Sequence, residues 1–244
     1  MTIQAPLVGE AIGTKDSEYV RRMFDGIAPR YDILNSILSL NTHHAWRVFA
    51  SRCASVGPGD SVLDVCTGTG DLAVELRKRV GAAGRVAAVD FSQAMLDAGA
   101  FKFGANGIET SLGDAMALPY ADDEFHACVV GFGIRNVADP CKAVCEMRRV
   151  VRPGGHVVVL EFSQPVNPVF RASYDLHSRW IMPWLGGWVS GHSDAYRYLP
   201  ESVRQWKSRD EMRKLLAESG LVAIRSLNLT FGVVCVHVGE KPSE

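Results

Sequence analysis

No stretch of the sequence reaches the roughly 20 consecutive apolar residues that a membrane-spanning helix requires. The most apolar stretch outside the predicted strands, residues 180–189, is too short, and residues 1–13 lack the basic start and long apolar run of a signal peptide. The 26 Lys and Arg residues balance 27 Asp and Glu residues, so the net charge gives no indication of nucleic-acid binding. We therefore expect a cytoplasmic protein without a nucleic-acid partner.

The sequence also lacks a CxxC pair and any cluster of Cys and His residues at zinc-binding spacing. Cys141 and Cys145 would share one face of a helix, but two thiols alone make a poor metal site. The other cysteines are isolated, and an isolated cysteine commonly packs as a small buried hydrophobic residue. We therefore expect no metal ion.

The composition that is present is typical of a globular α/β protein, with 244 residues of which 47% are hydrophobic. Because there are no repeats and no long linkers, we predict one domain over residues 1–244. Helical periodicity in residues 16–54 is interrupted at Pro29, which predicts at least two helices there. The predicted parts are N-terminal helices that form a lid (1–55), a cofactor-binding core (56–164), a helical insertion on the substrate side (165–206), and a final helix with a hairpin (207–244).

Strand-like and helical segments alternate through the predicted core. Helices are indicated from Asp71, after the capping residue Ser92, and from Pro140. This alternation predicts a Rossmann-like, doubly wound, mostly parallel sheet with helices on both faces. The predicted strands are residues 61–66, 86–89, 108–112, 127–130 and 156–162.

The C-terminal segment has a different pattern. Ser208 and Glu211 have the spacing of a capping box, and Gly220 ends the helix that they begin. Two predicted strands follow, residues 222–227 and 231–238, and only a short connection joins them. A connection of that length requires an antiparallel pair, which we place at one edge of the sheet.

A glycine-rich turn lies between the first predicted strand and its helix. Residues 68–73 match the pattern G-x-G-x-x-A, and Asp90 follows at the end of the next strand, about 20 residues on. Such glycines let the backbone approach a ligand, and an acid at that strand end binds ribose hydroxyls. The pattern predicts Gly68, Gly70 and Asp90 in an adenosine-binding site, with a purely structural turn as the alternative.

Charge favours one adenosine ligand over another. Asp64 just before the turn and Asp71 at the start of the helix would repel a pyrophosphate, and the sequence places no Arg or Lys nearby to offset them. S-adenosylmethionine carries an ammonium and a sulfonium group but no phosphate, so it is favoured. Asp71 is also explained by the helix dipole, and a nicotinamide oxidoreductase remains an alternative. Asp114, after the third strand, can accept a hydrogen bond from adenine or be an ordinary turn residue.

Five separate blocks of the sequence carry a family resemblance. Residues 31–46 match one signature, with Leu34 where Met is usual, and residues 149–163 match a second, with Arg152 in place of Lys. The other blocks are residues 132–137, 196–202 and 229–239. With these blocks the chain resembles the class I S-adenosylmethionine methyltransferases, and more narrowly the C-methyltransferases of menaquinone and ubiquinone biosynthesis.

The resemblance implies a seven-stranded sheet with an antiparallel last hairpin, and methyl transfer from S-adenosylmethionine to a ring carbon of a reduced quinol. Conversion of demethylmenaquinol to menaquinol, the last step of menaquinone biosynthesis, is the favoured reaction. The equivalent ubiquinone step, or both, is an alternative, as is a non-enzymatic S-adenosylmethionine-binding partner in a quinone-biosynthesis assembly. Because the implied substrate has a prenyl tail, residues 180–189 are a hypothesis for a tail tunnel or a peripheral membrane contact, with packing on the core as the equal alternative.

The resemblance also implies roles for single residues. Thr69, Asp90, Asp114 and Ala115 match cofactor contacts, whereas the sequence has Gly131 where the family often has Ser. Independently of the resemblance, its position just beyond the fourth strand makes Arg135 the predicted catalytic residue. It would stabilise a developing phenolate while a water molecule accepts the proton, with a structural ion pair as the alternative. Further side chains that could close over the site are Tyr31, Asp32, His43, Tyr196 and Arg197. Of these, His43 is a candidate proton acceptor, with packing or capping as the alternative.

Overall fold

The computed structural model describes residues 17–164 and 193–243. At its N-terminal end, a short 3-10 turn (Ala28–Arg30) that contains Pro29 separates the first two helices, as the sequence predicts. The helices of this part are α1 (Ser17–Ile27), α2 (Tyr31–Leu38) and α3 (Thr42–Cys53).

Seven strands lie in the described residues, and they form one sheet: β1 (Ser61–Val65), β2 (Arg85–Asp90), β3 (Glu109–Leu112), β4 (Phe125–Gly131), β5 (Val151–Phe162), β6 (Val222–Leu229) and β7 (Val234–Glu240). Their order across the sheet is β3-β2-β1-β4-β5-β7-β6. The pairs from β3 to β5 are parallel, whereas β7 is antiparallel to both β5 and β6. The predicted mostly parallel sheet with an antiparallel C-terminal hairpin is confirmed.

The structure decides one detail of the hairpin that the prediction left open and corrects another. Its last strand, β7, inserts between β5 and β6, so that β6 forms the edge of the sheet. In addition, β7 begins at Val234 and not at Phe231, because residues 230–232 form a 3-10 turn in which Phe231 has a left-handed φ of +56°. The N–H of Val233 closes this turn on the carbonyl of Thr230, at 3.1 Å.

Five further helices lie in the described residues: α4 (Asp71–Val80), α5 (Gln93–Ala105), α6 (Pro140–Val150), α7 (Ser193–Gln205) and α8 (Arg209–Glu218). The predicted caps are present, since Ser92 accepts the N–H of Met95 at 3.1 Å and Ser208 forms a full capping box with Glu211. Helix α7 lies in the region predicted as an insertion, whose residues 165–192 lie outside the described part of the chain.

The two largest apolar clusters in the described residues lie one on each face of the sheet, and two smaller clusters lie around the N-terminal helices. Side chains alternate along β1, so Leu63 belongs to one cluster and Val62 to the other. Met147 of α6 and Leu216 of α8 cover the first face, and Leu76 of α4 covers the second. Helices therefore pack on both faces, and the carboxyl ends of the parallel strands are left to form a ligand crevice.

Among the helices of the described residues, none is long and apolar enough to cross a membrane. Residues 180–189, the hypothetical contact for a prenyl tail or a membrane, lie outside the described part of the chain. That hypothesis therefore stays a prediction.

Candidate functional site

A cavity of about 410 Å³ opens at the carboxyl-terminal ends of the parallel strands. Cys66 follows β1, Asp90 ends β2, Asp114 follows β3 and Gly131 ends β4, and all four line the cavity. Helices α1 and α2 also contribute lining residues, among them Tyr31. The volume lies within the range of about 300–1,000 Å³ that is usual for small-molecule sites.

The glycine turn has a backbone conformation that residues with side chains rarely adopt, so no side chain of the turn covers its backbone on the cavity side. Gly68 and Gly70 have φ angles of +57° and +89°, in the left-handed region that favours glycine, and a Cβ at Gly70 would overlap the ring of Phe103. Gly68 lines the cavity, and its N–H donates to Oδ2 of Asp90 at 2.8 Å. Gly70 is not among the cavity-lining residues; it lets the turn pack closely against α5.

Asp90 joins the glycine turn to the next strand. Its carboxylate is buried, and Oδ1 accepts the N–H of Ser92 at 2.9 Å while Oδ2 holds Gly68. Burial raises the pKa of Asp90, although the hydrogen bonds from these backbone groups lower it in part. Because a carboxylate has further lone pairs and Asp90 lines the cavity, it can also accept hydrogen bonds from ribose hydroxyls.

Asp114 and Ala115 lie beside Asp90, because β3 is the neighbour of β2 in the sheet. Oδ1 of Asp114 accepts the N–H of Met116 at 2.8 Å, which fixes the side chain, and both Asp114 and Ala115 line the cavity. The structure therefore brings together four of the six predicted cofactor-binding residues at the cavity wall: Gly68, Asp90, Asp114 and Ala115.

Thr69 is buried directly behind the wall, and its hydroxyl donates to Oδ1 of Asp32 at 2.5 Å. Lys102 of α5 binds Oδ2 of the same carboxylate at 2.6 Å, so the glycine turn, α2 and α5 share one polar cluster. Thr69 is not among the cavity-lining residues, and a direct contact between its side chain and a cofactor stays a prediction.

The expectation that no Arg or Lys offsets Asp71 is wrong. Lys102 binds Oδ1 of Asp71 at 2.5 Å and Arg47 approaches Oδ2 at 3.5 Å. Burial alone would raise the pKa of Asp71, but these two cations lower it below its usual value. Lys102 is 31 residues away along the chain and reaches Asp71 only because α5 packs beside the glycine turn.

Asp64 is buried below the turn and accepts the hydroxyl of Thr67 at 2.7 Å. Burial raises the pKa of Asp64 to about 7, despite this hydrogen bond. A carboxyl group that is half protonated near neutral pH repels a pyrophosphate only weakly. Neither Asp64 nor Asp71 therefore supports the sequence argument about ligand charge.

The cavity wall itself provides a stronger argument about ligand charge. Among the described residues that line it, the acidic side chains are Glu18, Asp90 and Asp114, and the basic side chain is Arg21. Three acids against one base leave an excess of negative charge, which favours a cationic ligand over a polyphosphate. S-adenosylmethionine, whose sulfonium and ammonium outweigh its single carboxylate, fits this wall.

Arg135 lies in the 3-10 turn Ile134–Asn136 that follows β4. Its neighbours Gly133 and Asn136 line the cavity, whereas Arg135 itself is not among the cavity-lining residues. Its guanidinium is buried and forms an ion pair with Glu161, at 2.9 Å from Nη1 to Oε1. Nη1 also donates to the carbonyl of Phe132 at 2.6 Å. The structural ion pair is thus present, but it uses only Nη1 of the guanidinium. A catalytic role for the remaining nitrogens of Arg135 stays a prediction.

The predicted lid residues have different surroundings. Tyr31 lines the cavity, and burial raises the pKa of its phenol. His43 is hydrogen-bonded to Arg47 in α3, and burial together with the charge of Arg47 lowers the pKa of His43 to about 4. This environment favours a packing role for His43 over that of a proton acceptor. The side chains of Tyr196 and Arg197 lie outside the described part of the chain.

One group of potential metal ligands occurs among the described residues, formed by His43, His44 and Asp71. Arg47 contacts the ring of His43 and lies near Asp71, and Lys102 forms an ion pair with Asp71. Two cationic side chains therefore already contact two of these three residues, His43 and Asp71, which opposes the binding of a divalent cation.

Several cavity-lining residues have no counterpart among the sequence predictions. Cys66 and Phe91 directly follow β1 and β2, and their position at a strand end is a signal that the sequence does contain. Those on α1 could not be found in this way, because their contribution depends on how α1 packs against α5 and α7. The lining residues that were missed include Ser17, Glu18, Arg21, Phe24, Cys66, Phe91, Met95, Met116 and Asn136.

Comparison with solved structures supports the fold. The chain is similar to a SAM-dependent methyltransferase from Thermotoga maritima, with a TM-score of 0.63 and 17% identity over 91% of this chain and 99% of that chain. It is also similar to a Haloferax volcanii complex of the Trm112 methyltransferase activator and a putative methyltransferase, with a TM-score of 0.65 and 19% identity over 90% of this chain and 97% of that chain. At these identities the likeness establishes the fold alone.

Comparison with sequences is more specific. The chain is 38% identical over 233 residues to a ubiquinone/menaquinone biosynthesis C-methyltransferase from Hahella chejuensis, which covers 93% of each protein. It is also 38% identical over 230 residues to a demethylmenaquinone methyltransferase from Staphylococcus aureus, covering 94% of this chain and 95% of that protein. The sequence model of one family matches residues 12–241. The chain belongs to the ubiE/COQ5 methyltransferase family.

Proposed function

We propose that this protein is an S-adenosylmethionine-dependent C-methyltransferase that converts demethylmenaquinol to menaquinol, the last step of menaquinone biosynthesis. Its membership of the family and its 38% identity to a demethylmenaquinone methyltransferase support the reaction class and the substrate. Within the site, the proposal rests on the cavity. The glycine turn, Asp90 and Asp114 line it together, and its lining carries an excess of negative charge.

S-adenosylmethionine, when bound, supplies an electrophilic methyl group on its sulfonium. Asp90 is fixed by two backbone N–H groups and accepts from the ribose hydroxyls, as acids at this strand end do. Asp114 accepts from the adenine amino group, and Ala115 packs beside it. Gly68 and Gly131 present their backbones to the cavity.

A ring carbon becomes nucleophilic enough for methylation when the neighbouring quinol hydroxyl loses its proton. A guanidinium keeps its own proton near neutral pH, so Arg135 stabilises the developing phenolate electrostatically while a water molecule accepts the proton. The cavity would hold the quinol ring against the cofactor, and such positioning would contribute about 7–11 kcal/mol to lowering the barrier. The ring carbon that gains the methyl group then loses its own hydrogen as a proton to water, which restores the aromatic quinol. Apolar lining residues such as Phe24 and Met95 exclude bulk water.

Methyl transfer from labelled S-adenosylmethionine tests this proposal. Reduced demethylmenaquinone and a reduced demethoxy-type ubiquinone precursor are offered separately to the purified protein. We expect label on the naphthoquinol. Label on both substrates would make the enzyme bifunctional, an outcome that the ubiquinone/menaquinone name of the Hahella chejuensis relative favours. If neither quinol accepts a methyl group although S-adenosylmethionine binds, the substrate is wrong and a non-enzymatic binding role becomes the better explanation.

The prenyl tail of the substrate requires an apolar environment outside the cavity. We propose a cytoplasmic enzyme that touches the membrane peripherally through residues 180–189, which carry three Trp residues and no charge. Flotation with liposomes that contain the quinol tests the contact. If the protein does not bind these liposomes, the peripheral contact is refuted, whereas the methyl-transfer reaction is unaffected.

A further inference from the structure

Glu161 is a buried acid that the sequence analysis did not assign to the site. It lies near the end of β5, next to Phe162, and its side chain is almost completely inaccessible to solvent. Oε1 accepts Nη1 of Arg135 at 2.9 Å and the N–H of Phe162 at 2.8 Å, while Oε2 lies 3.4 Å from the backbone N–H of Arg135. Glu161 therefore holds both the side chain and the backbone of Arg135.

The three nitrogens of the Arg135 guanidinium differ in how many hydrogen bonds they donate. Both hydrogens of Nη1 are engaged, one by Glu161 and the other by the carbonyl of Phe132 at 2.6 Å. Nε is directed at the hydroxyl of Ser202 at 3.4 Å, and the ring of Phe162 lies 5.4 Å from Cζ. Within the described part of the chain, Nη2 has no hydrogen-bond partner, so this amino group remains available to a substrate oxygen.

The buried guanidinium of Arg135 and the buried carboxylate of Glu161 also balance each other's charge. Together Arg135 and Glu161 are close to neutral, so a quinol hydroxyl near Nη2 meets a hydrogen-bond donor whose positive charge is partly balanced. The strength of the stabilisation that Arg135 exerts on a phenolate therefore depends on the charge of Glu161 as well as on its position.

From this geometry we propose that Glu161 is a positioning residue of the methyl transfer: it fixes Arg135 so that Nη2 faces the quinol oxygen, and its negative charge sets the electrostatic strength of that contact. This inference rests on the proposed function, because it requires a quinol hydroxyl as the group that Arg135 contacts.

Two substitutions separate position from charge. E161D keeps the carboxylate but withdraws it by one methylene group, and a misplacement of about 1 Å can cost about 100-fold in rate. We therefore expect E161D to lower kcat about 10- to 100-fold with an unchanged pH profile. E161Q keeps an acceptor oxygen for Nη1 but removes the charge, which leaves Arg135 fully positive and favours the phenolate. We expect the acidic limb of its kcat profile to move to lower pH by about one unit.

The matched control is E146Q, which neutralises another carboxylate that pairs with an arginine, at 2.8 Å from Arg149. It should leave the pH profile unchanged. S-adenosylmethionine affinity and thermal unfolding are measured for every variant, so that loss of folding is separated from loss of positioning. A double-mutant cycle adds E161Q to R135A, where the charge of Glu161 has no guanidinium to act through and the pH shift should disappear.

Transfer to demethylmenaquinol by the wild-type protein, a lower kcat in E161D and a shifted profile in E161Q would together support the role. An E161Q profile that superimposes on that of the wild type, or a kcat of E161D equal to that of the wild type, would overturn it while the proposed function stands. A shift that persists in the R135A background would also overturn it, since Glu161 would then act independently of Arg135. If the wild-type protein itself methylates no quinol, the proposed function fails and this inference fails with it.

Discussion

Replacement of Asp90 by alanine should weaken both the fold and cofactor binding, by amounts that follow from its hydrogen bonds. Its carboxylate accepts the N–H groups of Gly68 at 2.8 Å and Ser92 at 2.9 Å. In D90A these donors lose their acceptor, at a cost of about 1–3 kcal/mol for each buried group. Burial raises the pKa of Asp90, so removal of this disfavoured charge offsets part of the loss. We expect a net decrease of about 2–3 kcal/mol in the free energy of unfolding.

The effect of D90A on cofactor binding should be larger than its effect on stability. Two hydrogen bonds from ribose hydroxyls to a charged group contribute about 1.5–3 kcal/mol each. After water replaces part of that contribution, a loss of about 3–4 kcal/mol corresponds to a Kd for S-adenosylmethionine that is about 100- to 1,000-fold higher. D90N retains one acceptor oxygen and should raise the Kd about 10-fold.

Isothermal titration with S-adenosylmethionine and urea unfolding measure the two effects separately. The control is D60A, because Asp60 also accepts a backbone N–H, that of Gly57 at 2.8 Å, but precedes β1 at the end of the sheet opposite the cavity. D60A should lose stability and keep its affinity for S-adenosylmethionine. If D90A binds S-adenosylmethionine within twofold of the wild-type affinity, or if D60A loses as much affinity as D90A, the assignment of Asp90 to the ribose is refuted.

Two further predictions concern stability. K102M removes ion pairs of 2.6 Å to Asp32 and 2.5 Å to Asp71. Because these groups are partly exposed, the free energy of unfolding in urea should fall by only about 1–2 kcal/mol. An unchanged free energy of unfolding would show that these ion pairs add no stability. Burial lowers the pKa of His237 to about 4, so below about pH 6.5 the unfolded chain binds a proton that the folded chain does not. His237 by itself should therefore lower the free energy of unfolding by up to about 1.4 kcal/mol per pH unit as pH falls from about 6.5 to about 4, in addition to the contribution of His43, whose pKa is also lowered to about 4. H237L should show a shallower dependence in urea unfolding at a series of pH values; a slope equal to that of the wild type would contradict the assignment.

Local sequence determined the elements from which this site is built. The apolar β1 segment, the glycines at 68 and 70, and the capping residues Ser92 and Ser208 each act within a few residues of the chain. The alternation of strands and helices then required a mostly parallel sheet, and parallel strands bring their carboxyl ends to one edge. For that reason the amino-acid sequence alone is enough to predict that Asp90 lies in the crevice at this edge, where the structure has it line the cavity.

Only the tertiary structure decided which distant side chains meet. The pairing of Lys102 with Asp71, the ion pair of Arg135 with Glu161, and the contribution of α1 to the cavity all join residues far apart in the chain. The insertion of β7 between β5 and β6 is another such outcome, since a short connection requires antiparallel pairing but does not say which strand is inner. The physical reason is that periodicity and capping are local, whereas ion pairing and burial depend on how whole elements pack.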